Sequence, residues 1–386
     1  MSIVVIKRCP EYDAGLIQQA LEEAVALVGG WTRFVQRGRR VLLKPNLIAP
    51  RRPEQAACTH PEVLRALIRS LKAQGCEVAV GDSAGGAIAG IAPTAQALQV
   101  SGWAQVCAEE GATLVNFDRE GALAVPSRTG RMAKEFHLAR PVVEADVVIN
   151  VPKLKTHSNG GYTGAVKNTF GCIPGLRKAE YHRIAPELAD FAELIADIHL
   201  AARVTLNVLD GIVGMEGAGP TNGRPKKAGV LLVSPDALAL DVVAARMIGL
   251  EPGRLEILQA AARLGVGESD LKAIKVAGDF TEPPRLDFAL PPSVVRGRRM
   301  PRWLLPAIIA FFRTRPEIDV SRCRRCGICQ ESCPVKAVDR QLTINRAACI
   351  ECLCCQELCP QGAVRLVRVH PVARLLFPPE RMLRPN

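Results

Sequence analysis

The chain has 386 residues, 48% apolar and 23% charged, a composition that excludes a disordered or low-complexity polymer and can bury one large core plus a smaller unit. Its net charge of +12 is uneven, because ten of the excess positive charges fall between residues 291 and 386. A basic end of this kind attracts an acidic protein or an anionic surface; without a recognised motif or interleaved base-stacking aromatics it argues against nucleic acid.

The opening MSIVVIKR reads as a first strand, because its apolar run is too short for a secretory leader, and a cytoplasmic protein is expected. From there to residue 278, Val-, Ile- and Leu-rich runs alternate with helical segments. The pattern predicts an α/β domain with a mainly parallel sheet and helices on both faces. Strands are expected at 2–6, 40–44, 77–82, 113–117, 146–152, 204–210 and 230–234, with helices at 13–28, 61–74, 186–202, 236–248 and 254–264. Several strands run into polar, glycine-rich loops, KPNLIAPRRPEQAACTHP, GDSAGG, PKLKTHSNGGYTG and DGIVGMEGAGPTNG. Loops at the carboxyl ends of strands are where open α/β sheets bind ligands.

Prolines punctuate residues 279–316, which read as a linker or a strap. RRMPRWLLPAIIAFFR and the basic tail 370–386 mix apolar with basic residues. They are expected to pack on the main domain, with peripheral membrane contact as the alternative. No run reaches the roughly 18 apolar residues that span a bilayer.

Nine of the fourteen cysteines lie between Cys323 and Cys359. Cys323, Cys326, Cys329 and Cys333 followed by Pro334 spell C-x2-C-x2-C-x3-C-P, and Cys349, Cys352, Cys355 and Cys359 followed by Pro360 spell it again 26 residues later. In that spacing three thiolates hold one cubane and the fourth cysteine crosses to the other. Two [4Fe–4S] clusters are therefore expected, one on Cys323, Cys326, Cys329 and Cys359, the other on Cys349, Cys352, Cys355 and Cys333. Zinc sites are the alternative for isolated C-x2-C pairs and do not explain two complete motifs. The pattern, over residues 317–369, resembles the two-cluster bacterial-type ferredoxins, a small α+β fold. Cys354 falls outside both repeats and reads as a spare thiol; Cys9, Cys58, Cys76, Cys107 and Cys172 read as buried thiols.

The loops of the large domain collect polar residues: Lys44 and Asn46 in VLLKPN, Asp82 in VGDS, Lys153, Lys155 and His157 in NVPKLKTH, and Lys167 and Asn168 in GAVKNTFG. His182, Asp210, Glu216, Asp236 and Asp241 follow. These strings, in order over about residues 39–250, resemble the family catalogued as domain of unknown function 362, many members of which carry a C-terminal two-cluster ferredoxin module. The resemblance implies an iron–sulfur protein without supplying a reaction. Physically, four lysines and several amides at strand ends suit an anionic ligand, with His60, His157 or His182 available for proton transfer. Lys153, His157 and Lys167 are the candidate catalytic set; Lys44, Asn46, Asp82, Lys155, Asn168, His182, Asp210 and Glu216 are candidate binding residues. Asp236 and Asp241 begin a helix, where a capping carboxylate is the plainer reading. Neither a P-loop nor G-x-G-x-x-G is present, so a second cofactor is not identified.

Two functions compete. In one, the ferredoxin module feeds electrons to or from an anionic substrate or cofactor in the large domain. In the other, the chain is a carrier or adaptor whose basic end docks an acidic redox protein such as a ferredoxin. A distant similarity to nickel-pincer lactate racemases gives a third reading, for which no signature residues match.

Overall fold

The computed structural model describes residues 2–85, 93–158, 160–175, 177–291, 311, 314–352 and 354–376. The first half of the chain runs β1 (Ser2–Arg8), α1 (Ala14–Leu27), β2 (Arg40–Pro45), α2 (Pro61–Ala73), β3 (Glu77–Asp82), α3 (Thr94–Val100), α4 (Trp103–Glu110), β4 (Thr113–Asn116), β5 (Ala122–Pro126), β6 (Glu135–Ala139), α5 (Arg140–Glu144) and β7 (Val147–Val151). It continues with β8 (Lys153–His157), β9 (Gly161–Thr163), α6 (Ala165–Asn168), α7 (Arg177–Ile184), α8 (Leu188–Ala201), β10 (Val204–Glu216), β11 (Arg224–Ser234), α9 (Ala237–Met247), α10 (Glu256–Arg263) and β12 (Ile274–Gly278).

Ten of these strands form one sheet, ordered β12-β1-β11-β10-β7-β2-β3-β4, with the β8–β9 hairpin attached to β10. Strands β10, β7, β2, β3 and β4 are parallel, and β11 runs antiparallel between β1 and β10. Both faces are covered, so the parallel strands read as continuous apolar runs. Alternation divides them: Val41 and Leu43 pack with α1, α2 and α4, while Leu42 packs with α8, α9 and α10 on the opposite face. Helix starts follow local chemistry. Asp13 caps α1 by accepting from Leu16 N at 2.9 Å, and His60 caps α2 with Pro61 at its first turn.

The strands and long helices expected from the pattern are present, within a residue or two at most ends. The lysine-rich loop after residue 152 is instead β8 and β9, buried along their length. Residues 279–290, expected as linker or strap, lie on the α/β domain: Phe288 joins its core, Leu286 N donates to Met247 O at 2.7 Å, and Gly217 N donates to Ala289 O at 2.8 Å. The apolar, basic stretch 292–310 and residues 377–386 of the tail lie outside the described residues.

The C-terminal module pairs β13 (Thr314–Ile318) antiparallel with β14 (Val364–Arg368), and adds α11 (Ile328–Glu331), α12 (Cys354–Glu357) and α13 (Pro371–Leu376). Its small core joins Ile318, Ala337, Leu342, Ile344 and Val364 to the cysteines. The 26-residue repeat persists in the backbone. Arg325 and Glu351 have φ of 51° and 54°, and Lys336 and Gly362 have φ of 52° and 57°. No helix among the described residues is long and apolar enough to cross a membrane.

Candidate functional site

The floor of the site is built at the carboxyl ends of β2, β3 and β7. Lys44 Nζ, buried at the end of β2, donates to Asp82 Oδ2 at 2.8 Å, Pro45 O at 2.7 Å and Asn168 Oδ1 at 3.3 Å. Asp82 also accepts from Leu47 N and Ser83 N, each at 2.8 Å. Burial pushes the Asp82 carboxyl up, while Lys44 and Lys178 pull it down. Gly171 is required against this pair, because a methyl there would collide with Asp82 and Lys44.

From this pair an amide ladder crosses the sheet. Lys155 Nζ donates to Asn46 Oδ1 at 2.5 Å and Ala57 O at 2.8 Å. Asn46 Nδ2 donates to Asn168 Oδ1 at 2.9 Å, Asn168 Nδ2 to Asn150 Oδ1 at 2.7 Å, and Asn150 Nδ2 to Asn207 Oδ1 at 2.9 Å. Each amide is oriented by the next, so the lysines are held in place rather than free to fold away. Asp241 anchors the segment that carries Lys167 and Asn168, accepting from Ala165 N at 2.6 Å, Val166 N at 2.9 Å and the Tyr162 hydroxyl at 3.0 Å. Burial raises its carboxyl to about 7. Asp236 caps α9 through Ala239 N at 2.9 Å.

Above the floor lies a cavity of about 170 Å³. Lys44, Lys155, His157, Lys167 and Lys178 line it together with Phe170, Phe191 and His182. His182 stacks on Phe191 at 4.2 Å and meets Phe170 edge-on at 5.5 Å. His157 Nδ1 accepts from Gly160 N at 3.0 Å, which places the proton of a neutral ring on Nε2. Among the described residues that line the cavity none is Asp or Glu. Ser332, Cys352, Cys354 and Leu358 close it from the C-terminal module.

Lys178 escaped the sequence reading. The residue is half-buried, and its ammonium donates to Ser83 O at 2.5 Å, Ser83 Oγ at 2.7 Å and Ala84 O at 3.1 Å. Burial lowers its pKa to about 8, against the pull of Asp82 and Asp118. The available signal was its position four residues before His182, which puts both on one face of α7.

Four expected residues sit elsewhere. Lys153 is the register partner of Asp210 and donates to its Oδ2 at 2.7 Å and to the Tyr12 hydroxyl at 2.6 Å, away from the cavity lining. Asp210 further accepts from Tyr12 at 2.9 Å and His60 N at 2.9 Å. The His60 ring stacks on Tyr12 at 3.5 Å, and burial lowers its pKa to about 4. Glu216 holds Ala289 N at 2.8 Å and Arg224 at 3.2 Å, fastening the 279–290 strap.

In the C-terminal module, burial and then the neighbouring thiols Cys323, Cys359 and Cys326 push the Cys329 thiol up to about 11. Burial and then Cys352, Cys349 and Cys333 raise Cys355. Backbone donors meet sulfur from Arg325 N to Cys323 at 3.3 Å, Ala337 N to Cys333 at 3.1 Å and Ala363 N to Cys359 at 3.1 Å. The five scattered cysteines of the α/β domain are all buried. Among the described residues no three His, Cys, Asp or Glu side chains converge closely enough to hold a single metal ion.

The model of the domain of unknown function 362 family matches residues 41–246. This chain belongs to that family. A 4Fe-4S binding domain model matches residues 316–339 of this family member. The residues fit that group: Cys323, Cys326, Cys329 and Cys359 line one common hollow walled by Ile318, Leu342 and Val364. The chain is also 34% identical over 314 residues to thylakoid-associated protein sll1697 of Synechocystis sp., covering 79% of this chain and 88% of that protein. The lactate racemase apoprotein structure from Thermoanaerobacterium thermosaccharolyticum is 13% identical with a TM-score of 0.37; the match covers 62% of this chain and 58% of the racemase chain.

Proposed function

We propose that this chain is an iron–sulfur oxidoreductase whose C-terminal module exchanges electrons with an anionic substrate or cofactor held in the α/β domain. The observation that carries this reading is the shared cavity: Cys352 and Cys354 line the same space as Lys155, His157, Lys167 and Lys178. Cys323, Cys326, Cys329 and Cys359 would hold one [4Fe–4S] cluster and Cys349, Cys352, Cys355 and Cys333 a second, which when bound supply one-electron transfer at low potential.

The chain's own residues supply the rest. Lys155, Lys167 and Lys178, beside the Lys44–Asp82 pair, give the described lining an excess of positive charge, which attracts a carboxylate or phosphate. The ladder through Asn46, Asn168 and Asn150 fixes Lys155 and Lys44 in position at the cavity. Phe170, Phe191 and His182, packed ring against ring, give the cavity an aromatic part of its lining. His157 Nε2 carries the proton that accompanies electron arrival, while Lys178, whose N–H groups go to Ser83 and Ala84, contributes positive charge. Lys153 holds Asp210 and Tyr12 in place and takes no part at the ligand.

The test follows the EPR signal of dithionite-reduced protein while a panel of small anions is added anaerobically. One anion is expected to quench the signal in the wild type, and His157→Gln with Lys167→Met is expected to abolish quenching while leaving the iron content intact. Unchanged quenching in the double variant refutes the cavity as the site. The second reading, a redox carrier or adaptor with the α/β domain as scaffold, is favoured by the concentration of positive charge after residue 290. Peripheral membrane association fits the thylakoid association in the cyanobacterial relative's name.

A further inference from the structure

The two halves of the C-terminal repeat differ where their surroundings differ. Cys326 is the one cysteine of the fourteen that is exposed, whereas its counterpart 26 residues later, Cys352, is half-buried and lines the cavity. The residues before Cys326 are Arg324 and Arg325, both exposed. Their counterparts Ile350 and Glu351 are half-buried, and Glu351 is tied to Arg315 Nε at 2.6 Å. Arg324 and Cys326 also border the hollow shared by Cys323, Cys329 and Cys359, and no carboxylate is among the described residues that border it. Arg325 adopts a left-handed φ of 51°, as its counterpart Glu351 does at 54°, so the two halves share this backbone turn and differ in the charge it carries.

We propose that the arginine rim around Cys326 is the docking face for an acidic one-electron carrier protein, so that electrons enter at the Cys323, Cys326, Cys329 and Cys359 set and leave through the Cys349, Cys352, Cys355 and Cys333 set into the cavity. Each encounter oxidises the carrier by one electron and reduces the module by one; two encounters supply the pair that most closed-shell substrates need. Electron-transfer encounters bury little surface and rely on charge for steering, which is what two exposed guanidiniums beside an exposed ligand thiol provide. This rests on the iron–sulfur reading of the module and is independent of which anion the cavity takes.

The experiment uses the full, cluster-loaded chain in three forms: wild type, Arg324→Gln with Arg325→Gln, and Arg324→Glu with Arg325→Glu. Stopped-flow reduction is measured with a reduced acidic two-iron ferredoxin as protein donor, and with photoreduced neutral deazaflavin as small donor. The ferredoxin rate is expected to fall in the order wild type, Gln, Glu, by at least about ten-fold across the series, with a steep salt dependence only in the wild type. The deazaflavin rate is expected to stay constant. Ferredoxin rates that do not follow the arginine charge overturn the docking face. So does selective loss of binding to phosphatidylserine vesicles in the Glu form at constant ferredoxin rate, which would make the rim a lipid-headgroup site. Absence of any reducible iron–sulfur signal in the wild type would instead remove the iron–sulfur reading itself.

Discussion

The ion pair between Lys44 and Asp82 sits where the fold and the site meet, so its removal tests both. Its side chains are 1% and 0% exposed, and the bond is 2.8 Å. Replacing Lys44 by Met leaves a carboxylate in a dry setting, and replacing Asp82 by Asn leaves an ammonium there while weakening the acceptor for Leu47 N. Breaking one side of a buried pair costs about 3–5 kcal/mol, whereas removing both charges costs much less than the two singles together. The Lys44→Met, Asp82→Asn double variant should therefore show a coupling of about 2 kcal/mol or more. Trp31 and Trp103 are both buried in the α/β core, so in a Trp303→Phe background tryptophan fluorescence during urea unfolding reports on this domain. At a slope of about 3 kcal/mol per molar, each single variant should lower the midpoint by about 1 to 1.5 M. Single variants within about 0.5 kcal/mol of wild type, the range of ordinary surface substitutions, would refute the pair's structural role. Additive costs in the double variant would refute its electrostatic origin.

Gly171→Ala forces a methyl into the same pair and should lower the urea midpoint and abolish the anion response together. Tyr12→Phe removes the hydroxyl that bridges Lys153 and Asp210 and should cost about 1–3 kcal/mol in the same unfolding assay, without changing the anion response. Lys178 has its folded pKa depressed from 10.5 to about 8, so the unfolded chain binds more protons between those values and this group's contribution makes stability rise with pH across that window. Anion affinity should move the opposite way, weakening above about pH 8 as the ammonium is lost, and Lys178→Met should flatten that limb of a binding titration. Cys354→Ala should leave the iron content unchanged because the thiol lies outside both repeats, whereas Cys352→Ala should lose iron.

Much of the fold was legible because burial on both faces leaves a simple trace, the runs VLL, VAV, VVINV and VLLV that became β2, β3, β7 and β11. The β8–β9 hairpin was not, since KLKTH is a fully buried strand without an apolar pattern: its lysines are buried through hydrogen bonds, not through hydrophobicity. Helices α3 and α4 went unread because each is short and Gly102, with φ of 78°, breaks them apart. At the site, polar strand ends pointed to Lys44, Lys155, His157 and Lys167, all of which line the cavity. Alternation along β8 could not separate Lys153 from Lys155, because the difference is made by Tyr12 and Asp210, which are distant in sequence. The same limit hid the closing of the cavity by Cys352 and Cys354, a contact between segments some two hundred residues apart from His157 and Lys155.

The iron–sulfur electron-transfer role stands or falls on anaerobic iron and sulfide analysis combined with EPR of the reduced protein during an anion titration. It predicts about eight irons per chain, four for each set of four cysteines, and a reduced signal that a lysine-binding anion quenches. Zinc in place of iron in anaerobically purified protein, or eight irons whose signal no small anion alters, would contradict it.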